Sequence, residues 1–312
     1  MTTPDIRWLG TDTAMIDLNF LGVPKVIAAY LLPTSDGLAI VDTGPSTVID
    51  TLEDGTRALG HDPNDIRHIL ITHIHLDHVG AAGTWMRRLP AARCYIHERG
   101  APHMIDPANL IRSATRIYGD DMERLWGEFL PVPEERTVVV RDGDQLRLGD
   151  RTLEVIYTPG HASHHVAFHE SATGRAFVGD VGGIRIPPSG LPIPPTPPPD
   201  VNVDAWKESI RRLREIVPMQ MLLAHFGPVD DVDRHLTELG ANLDAFVSLA
   251  EQALVEGLER EAIVARLTDH VQKLVEEDGN PDIETQFSLN VPYGMATDGL
   301  LRYLRKRDEA RG

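Results

Sequence analysis

The chain has 312 residues, enough for one large α/β domain with an appendage, and its 42% apolar content supports a sizeable core. Its formal net charge of -17 repels polyanions, which counts against a nucleic-acid ligand and an anionic membrane surface as partners. One cysteine, Cys94, excludes an internal disulfide framework and suits a reducing compartment.

The segment Met1-Thr2-Thr3-Pro4-Asp5 shows no basic stretch leading into an apolar run, so no secretory signal is expected. No stretch approaches the length of apolar sequence that a membrane span needs. The expected location is the cytoplasm. Strand-like runs come first, over 25–32 and 38–41, separated by the turn Ser35-Asp36-Gly37. Asp42-Thr43-Gly44-Pro45-Ser46 closes the second run and opens a helical stretch to Gly60. Residues 66–71 read as a buried strand, about 80–89 as a helix and 93–96 as a strand that contains Cys94 as a small core residue. About 102–133 reads as an insertion of short helices, whose Tyr118, Trp126 and Phe129 either line a pocket or pack the insertion itself.

A second batch of strands is expected from Arg136 onward: 137–140, 146–148, 153–157, 165–169 and 175–178. An amphipathic helix over 203–217 and a buried strand over 219–224 follow, and from Asp231 to Arg307 the apolar spacing is helical. Two strand batches with helices between them point to two sheets packed face to face with helices outside. Residues 187–199 are the one low-complexity patch. They read either as a stiff proline-rich linker, as a ligand for a proline-binding domain, or as the wall or lid of a site.

Chemistry concentrates in Thr72-His73-Ile74-His75-Leu76-Asp77-His78-Val79-Gly80, directly after the buried strand. Alternate residues of an extended loop, His73 and His75, can face one ion, while Asp77 and His78 follow at the turn and can face a second. Four further apolar strands end in ligand-type side chains: Asp42, His161 after Tyr157-Thr158-Pro159-Gly160, Asp180, and His225 after Leu222-Leu223-Ala224. Imidazole and carboxylate donors suit Zn²⁺, and also Fe or Mn.

In this order the motifs resemble those of the metallo-β-lactamase superfamily, namely HxHxDH, a Gly-His, an Asp and a final His, spread over about residues 25–228. The resemblance implies an α/β fold, the αββα four-layer sandwich, here with a helical C-terminal extension. It divides the chain into a catalytic domain over 1–230, carrying the insertion and the proline-rich loop, and a helical region over 231–312. It implies two divalent ions, zinc before iron or manganese. His73, His75 and His161 would hold the first ion, Asp77, His78 and His225 the second, with Asp180 bridging them. Asp42 matches a buried aspartate that supports the motif loop, and His165 matches a second histidine behind the ligands, whereas His164 is extra and undecided. Asp77 is also the candidate proton carrier. The absence of a cysteine ligand departs from antibiotic-cleaving members that use one, and His75 departs from the flavodiiron branch, which has Glu there.

The activity implied is hydrolysis by a metal-bridging hydroxide acting on a small ester, thioester or lactone. A phosphodiesterase of the same fold and a mono-iron persulfide dioxygenase share much of the pattern, and a non-catalytic scaffold would not need the full ligand set. Metal stoichiometry separates hydrolysis from oxygen chemistry. The basic residues Arg302, Arg305, Lys306 and Arg307 either face an anionic substrate such as a glutathione conjugate or complement a helix C-terminus. The expected partner is a small-molecule substrate, without nucleic acid or membrane; self-association is left open by the sequence.

Overall fold

The computed structural model describes residues 5–280, 283–290 and 292–311; the reading of the N-terminal segment falls almost wholly outside them. The chain divides into two compact units, one of residues 1–157 with 164–177, the other of 158–163 with 178–312.

The first unit opens with β1 (Ile6–Trp8), β2 (Ala14–Asp17), β3 (Ala28–Thr34) and β4 (Gly37–Val41), then α1 (Ile49–Ala58), β5 (Ile66–Leu70), α2 (Leu76–Val79), α3 (Ala82–Arg88) and β6 (Arg93–His97). The insertion forms α4 (Ala101–Ile105), α5 (Ala108–Tyr118) and α6 (Met122–Trp126), and β7 (Thr137–Val140) follows. These seven strands make one sheet in chain order, antiparallel from β1 to β4 and parallel from β4 to β7. β7 therefore completes the first sheet beside β6 and does not begin the second batch, where the sequence placed it. The helices between β4 and β7 supply the crossovers that parallel pairing requires.

β8 (Gln145–Leu148), β9 (Arg151–Tyr157), β10 (Val166–Glu170) and β11 (Arg175–Phe177) form an antiparallel run. Tyr30 of β3 meets Phe177 of β11 edge to face at 5.5 Å, so this run packs on the seven-stranded sheet within the unit. Within this run a buried ion pair joins the neighbouring strands β9 and β10, Arg151 with Glu170, at 2.7 and 2.5 Å. The same guanidinium donates to the Asp12 carbonyl and the Thr13 hydroxyl in the β1–β2 turn. Cys94 lies within β6, flanked by Ile69 of β5 and Thr137 of β7, with no exposed surface, and burial pushes its thiol well above the usual range.

The second unit contains α7 (Val203–Glu215), the antiparallel pair β12 (Gln220–Leu223) and β13 (Gly227–Val229), and then α8 (Val232–Val255), α9 (Arg260–Glu277), α10 (Glu284–Asn290) and α11 (Tyr293–Arg311). Asn202 caps α7 by accepting from the Ala205 N–H, and Asp231 caps α8 in the same way through Arg234. α8 buries Leu236, Leu239, Leu243 and Phe246 at helical spacing. Burying each such side chain contributes roughly 1.5–3 kcal/mol. Among the described residues no helix is long and apolar enough to cross a membrane.

The short strands β1, β2 and β13 were not legible in the sequence, and the run predicted over 25–32 is shifted to 28–34. Asp17 explains part of the shift: it accepts from the Asn19 and Lys25 backbone N–H groups, so 19–25 is a loop closed on a buried carboxylate.

Candidate metal centre

In the first unit the parallel register of β4 and β5 brings Asp42 beside Thr72, because both strands end on the same edge. Asp42 sits at φ 58°, a left-handed conformation that costs a non-glycine residue roughly 1–3 kcal/mol. Three hydrogen bonds hold it there. It accepts from the Thr72 N–H at 2.9 Å, the Thr72 hydroxyl at 2.8 Å and His78 Nδ1 at 3.0 Å. A carboxylate accepts only, so His78 carries its hydrogen on Nδ1 and leaves Nε2 as a donor of electrons. Asp77, a quarter exposed, faces that nitrogen at 3.4 Å.

His73 Nε2 and His75 Nδ1 lie 3.1 Å apart, and the His73 ring centre is 4.0 Å from that of His78. Two imidazole nitrogens bound to one tetrahedral zinc at 2.0–2.1 Å are separated by about 3.3 Å, so the pair is spaced as co-ligands are. His164, undecided from the sequence, accepts the Ile74 N–H on Nδ1 at 3.3 Å and so braces the backbone between His73 and His75. His165 is fully buried with its ring 5.0 Å from His73. At the end of α5, burial first and then the Asp77 charge push the Tyr118 phenol above its ordinary range. Trp126 instead packs, stacked on Phe20 at 5.7 Å with Tyr118 edge-on at 5.0 Å.

The second unit carries the remaining three ligand-type residues. Gly160 places His161: at φ +143° it lies so close to α7 that a Cβ would fall 2.3 Å from Trp206 Cα. His161 Nδ1 donates to the Pro195 carbonyl at 2.9 Å. Its Nε2 faces Asp180 Oδ2 at 3.3 Å, while Asp180 Oδ1 faces His225 Nε2 at 3.2 Å. Each oxygen of one buried carboxylate thus meets a different imidazole, the arrangement a bridging ligand has. With the hydrogen fixed on Nδ1, a neutral His161 and Asp180 would oppose two lone pairs, which a cation between them relieves.

Asp180 lies in a tight turn over Gly179–Gly182 whose carbonyls are bonded from the helices. Trp206 Nε1 donates to the Val181 carbonyl at 2.9 Å, and the buried His235 Nε2 donates to the Gly182 carbonyl at 2.7 Å. Desolvation pushes His235 down to about 4. His225 is held by its own carbonyl, which accepts the Arg185 N–H at 2.6 Å. The supporting roles of Trp206, His235 and Pro195 had no sequence signal, since each acts on a main-chain group far away in the chain. In both units the donor set, imidazole and carboxylate without thiolate, fits a divalent transition metal, and His and Asp groups suited to holding one are present.

The metallo-beta-lactamase superfamily profile matches residues 22–225. A hydroxyacylglutathione hydrolase of Maricaulis maris is 33% identical over 148 residues, covering 47% of this chain and 44% of that protein. An N-acyl homoserine lactonase of Agrobacterium fabrum is 31% identical over 115 residues, 37% of this chain and 40% of the relative. The matches span less than half the length of either relative. A metallo-beta-lactamase family protein from Thermus thermophilus has the same fold, with a TM-score of 0.67 at 24% identity over 90% of this chain and 89% of that one. With two thirds of its length matched to the family and a donor set to suit, the chain belongs to the metallo-β-lactamase superfamily, with its αββα fold, and is a metal-dependent hydrolase.

Proposed function

We propose that the chain is a dinuclear hydrolase of a small ester, thioester or lactone, with residues 1–230 as its catalytic part. His73, His75 and His161 hold one ion, Asp77, His78 and His225 the other, and Asp180 bridges. Zinc suits these donors best, with iron and manganese as the alternatives. The observation that carries the reading is Asp180, whose two oxygens each address a separate imidazole. Two such ions supply a hydroxide nucleophile near neutral pH and polarise the substrate carbonyl.

The residues do the rest. Asp42 fixes the His78 tautomer, Asp77 stands where it can take and release a proton, and Tyr118 presents a neutral phenol toward that side of the centre. The relatives named above support carbonyl chemistry, one by its thioester substrate class and one by its lactone. The charge of -17 disfavours nucleic-acid phosphodiesters, and the lone buried cysteine agrees with a cytoplasmic setting.

Elemental analysis of the purified protein, beside a hydrolysis panel of thioesters, lactones, β-lactams and phosphodiesters, tests this. Two ions per chain and turnover of a thioester or lactone are expected, both abolished in His73→Ala and Asp180→Ala. Parental metal content in either variant, or a single iron with oxygen uptake, overturns the proposal.

A further inference from the structure

The proline-rich segment 187–199 is built into the ligand set and is not a tether. Eight of its thirteen residues are proline, so it has few N–H groups, and its carbonyls take donors from elsewhere. One of them, Pro195, accepts from His161 Nδ1. A carbonyl has no hydrogen to give, so this contact fixes the hydrogen on Nδ1 and leaves Nε2 bare on the side of Asp180.

The segment is in turn fastened at four points. Ile184 and Ile193 exchange both main-chain hydrogen bonds at 2.8 Å. Asn242 Nδ2 of α8 donates to the Pro192 carbonyl at 2.7 Å. The buried Thr196 hydroxyl donates to the Ala296 carbonyl of α11 at 3.1 Å, where Gly299 allows the two backbones to close up. Arg302 Nε, one of the basic residues with two readings, donates to the Pro199 carbonyl at 3.0 Å. Thus α8 and α11 grip the segment on both sides of Pro195.

We propose that residues 187–199 act as a strap that sets the tautomer and aim of His161, with Asn242, Thr196 and Arg302 as positioning residues through which the C-terminal helices govern the affinity of the ion His161 holds. This rests on the metal centre proposed above. It gives the helical region a role in metal retention, separate from any part in substrate binding.

The test uses the full chain and the variants Asn242→Leu, Thr196→Val and Arg302→Gln. The last lies on an exposed helix face and keeps the experiment available if a buried change prevents folding. Ring ¹⁵N shifts of His161 in metal-free protein report its tautomer without any ion present. The parent should show hydrogen on Nδ1, and the variants a mixture. Zinc affinity, measured by chelator competition, should fall about 10-fold for one ion and stay near parental for the other, a magnitude usual for groups that orient a ligand. The metal-free melting temperature should hold, and Asn242→Gln, which keeps an amide donor, should recover affinity. A parent with hydrogen on Nε2, unchanged zinc affinity in all three variants, or a loss that merely tracks melting temperature each overturns the strap. A parent that binds no zinc defeats the metal centre instead, while the ¹⁵N measurement still decides the strap.

Discussion

His235 shows how much one unpaired atom can matter. Its Nε2 is spent on the Gly182 carbonyl and its Nδ1 is buried without a hydrogen-bond partner, so a second proton has nowhere favourable to go. Desolvation accounts for most of the fall from 6.5 to about 4, reinforced by the Arg185 charge, while the Gly182 bond and Glu238 pull the other way. Between those values the unfolded chain binds the proton and the folded chain does not. Stability therefore rises with pH across that window and is lost as pH falls through it, by up to about 3 kcal/mol. Urea unfolding of metal-free parent and His235→Gln at pH 7 and pH 4.5 should show the parent losing more than the variant; equal losses would mean that His235 does not titrate there. At this scale the candidate ligands stood out in the sequence because they fall in the short segments that follow apolar strands. His235, Trp206 and Pro195 were not, because nothing local marks a side chain or carbonyl that meets its partner only after folding.

Among elements, the strand order of the first unit depends on contacts that alternation cannot reveal. Arg151 and Glu170 sit on the neighbouring strands β9 and β10, and their charges read as solvent-facing in a sequence. In the fold both are buried, and Arg151 also reaches the β1–β2 turn, tying the antiparallel run to the first sheet. Arg151→Met leaves the Glu170 carboxylate buried without its cation. Such a loss costs about 3–5 kcal/mol, which a lowered urea midpoint at unchanged slope would register. β7 was misplaced for a related reason. A short run of β-branched residues has the same pattern beside a parallel or an antiparallel partner, and only the long helical insertion before it points to a crossover. The strand before the His-rich motif carried a stronger signal and was recovered nearly to the residue, whereas the single helical span read over 231–307 is divided into α8 to α11 at turns its spacing did not mark.

For the whole molecule, the proposed centre takes donors from residues that span more than 150 positions of the chain, from His73 to His225. Such a constellation does not persist once the chain unfolds, so bound zinc stabilises only the folded state. At free zinc near 100 times its dissociation constant the gain is about 2.7 kcal/mol per ion. Calorimetry should accordingly find the melting temperature raised by several degrees with zinc and lowered by a chelator; no difference would argue against a site held by the fold. The class of fold was visible at this scale because apolar runs come in two batches with helices between them, and the candidate ligands follow those runs in the order the family motif has. The role of the proline-rich segment was not, since its composition suits a linker as well as a strap.

Cys94 leads to one more consequence. Enclosed between two neighbouring strands of a parallel sheet, the sole sulfhydryl gives peroxide, glutathione or an alkylating drug no foothold while the native state persists. Because none of the candidate ligands is a cysteine, thiol oxidation has no direct route to that centre while the chain stays folded.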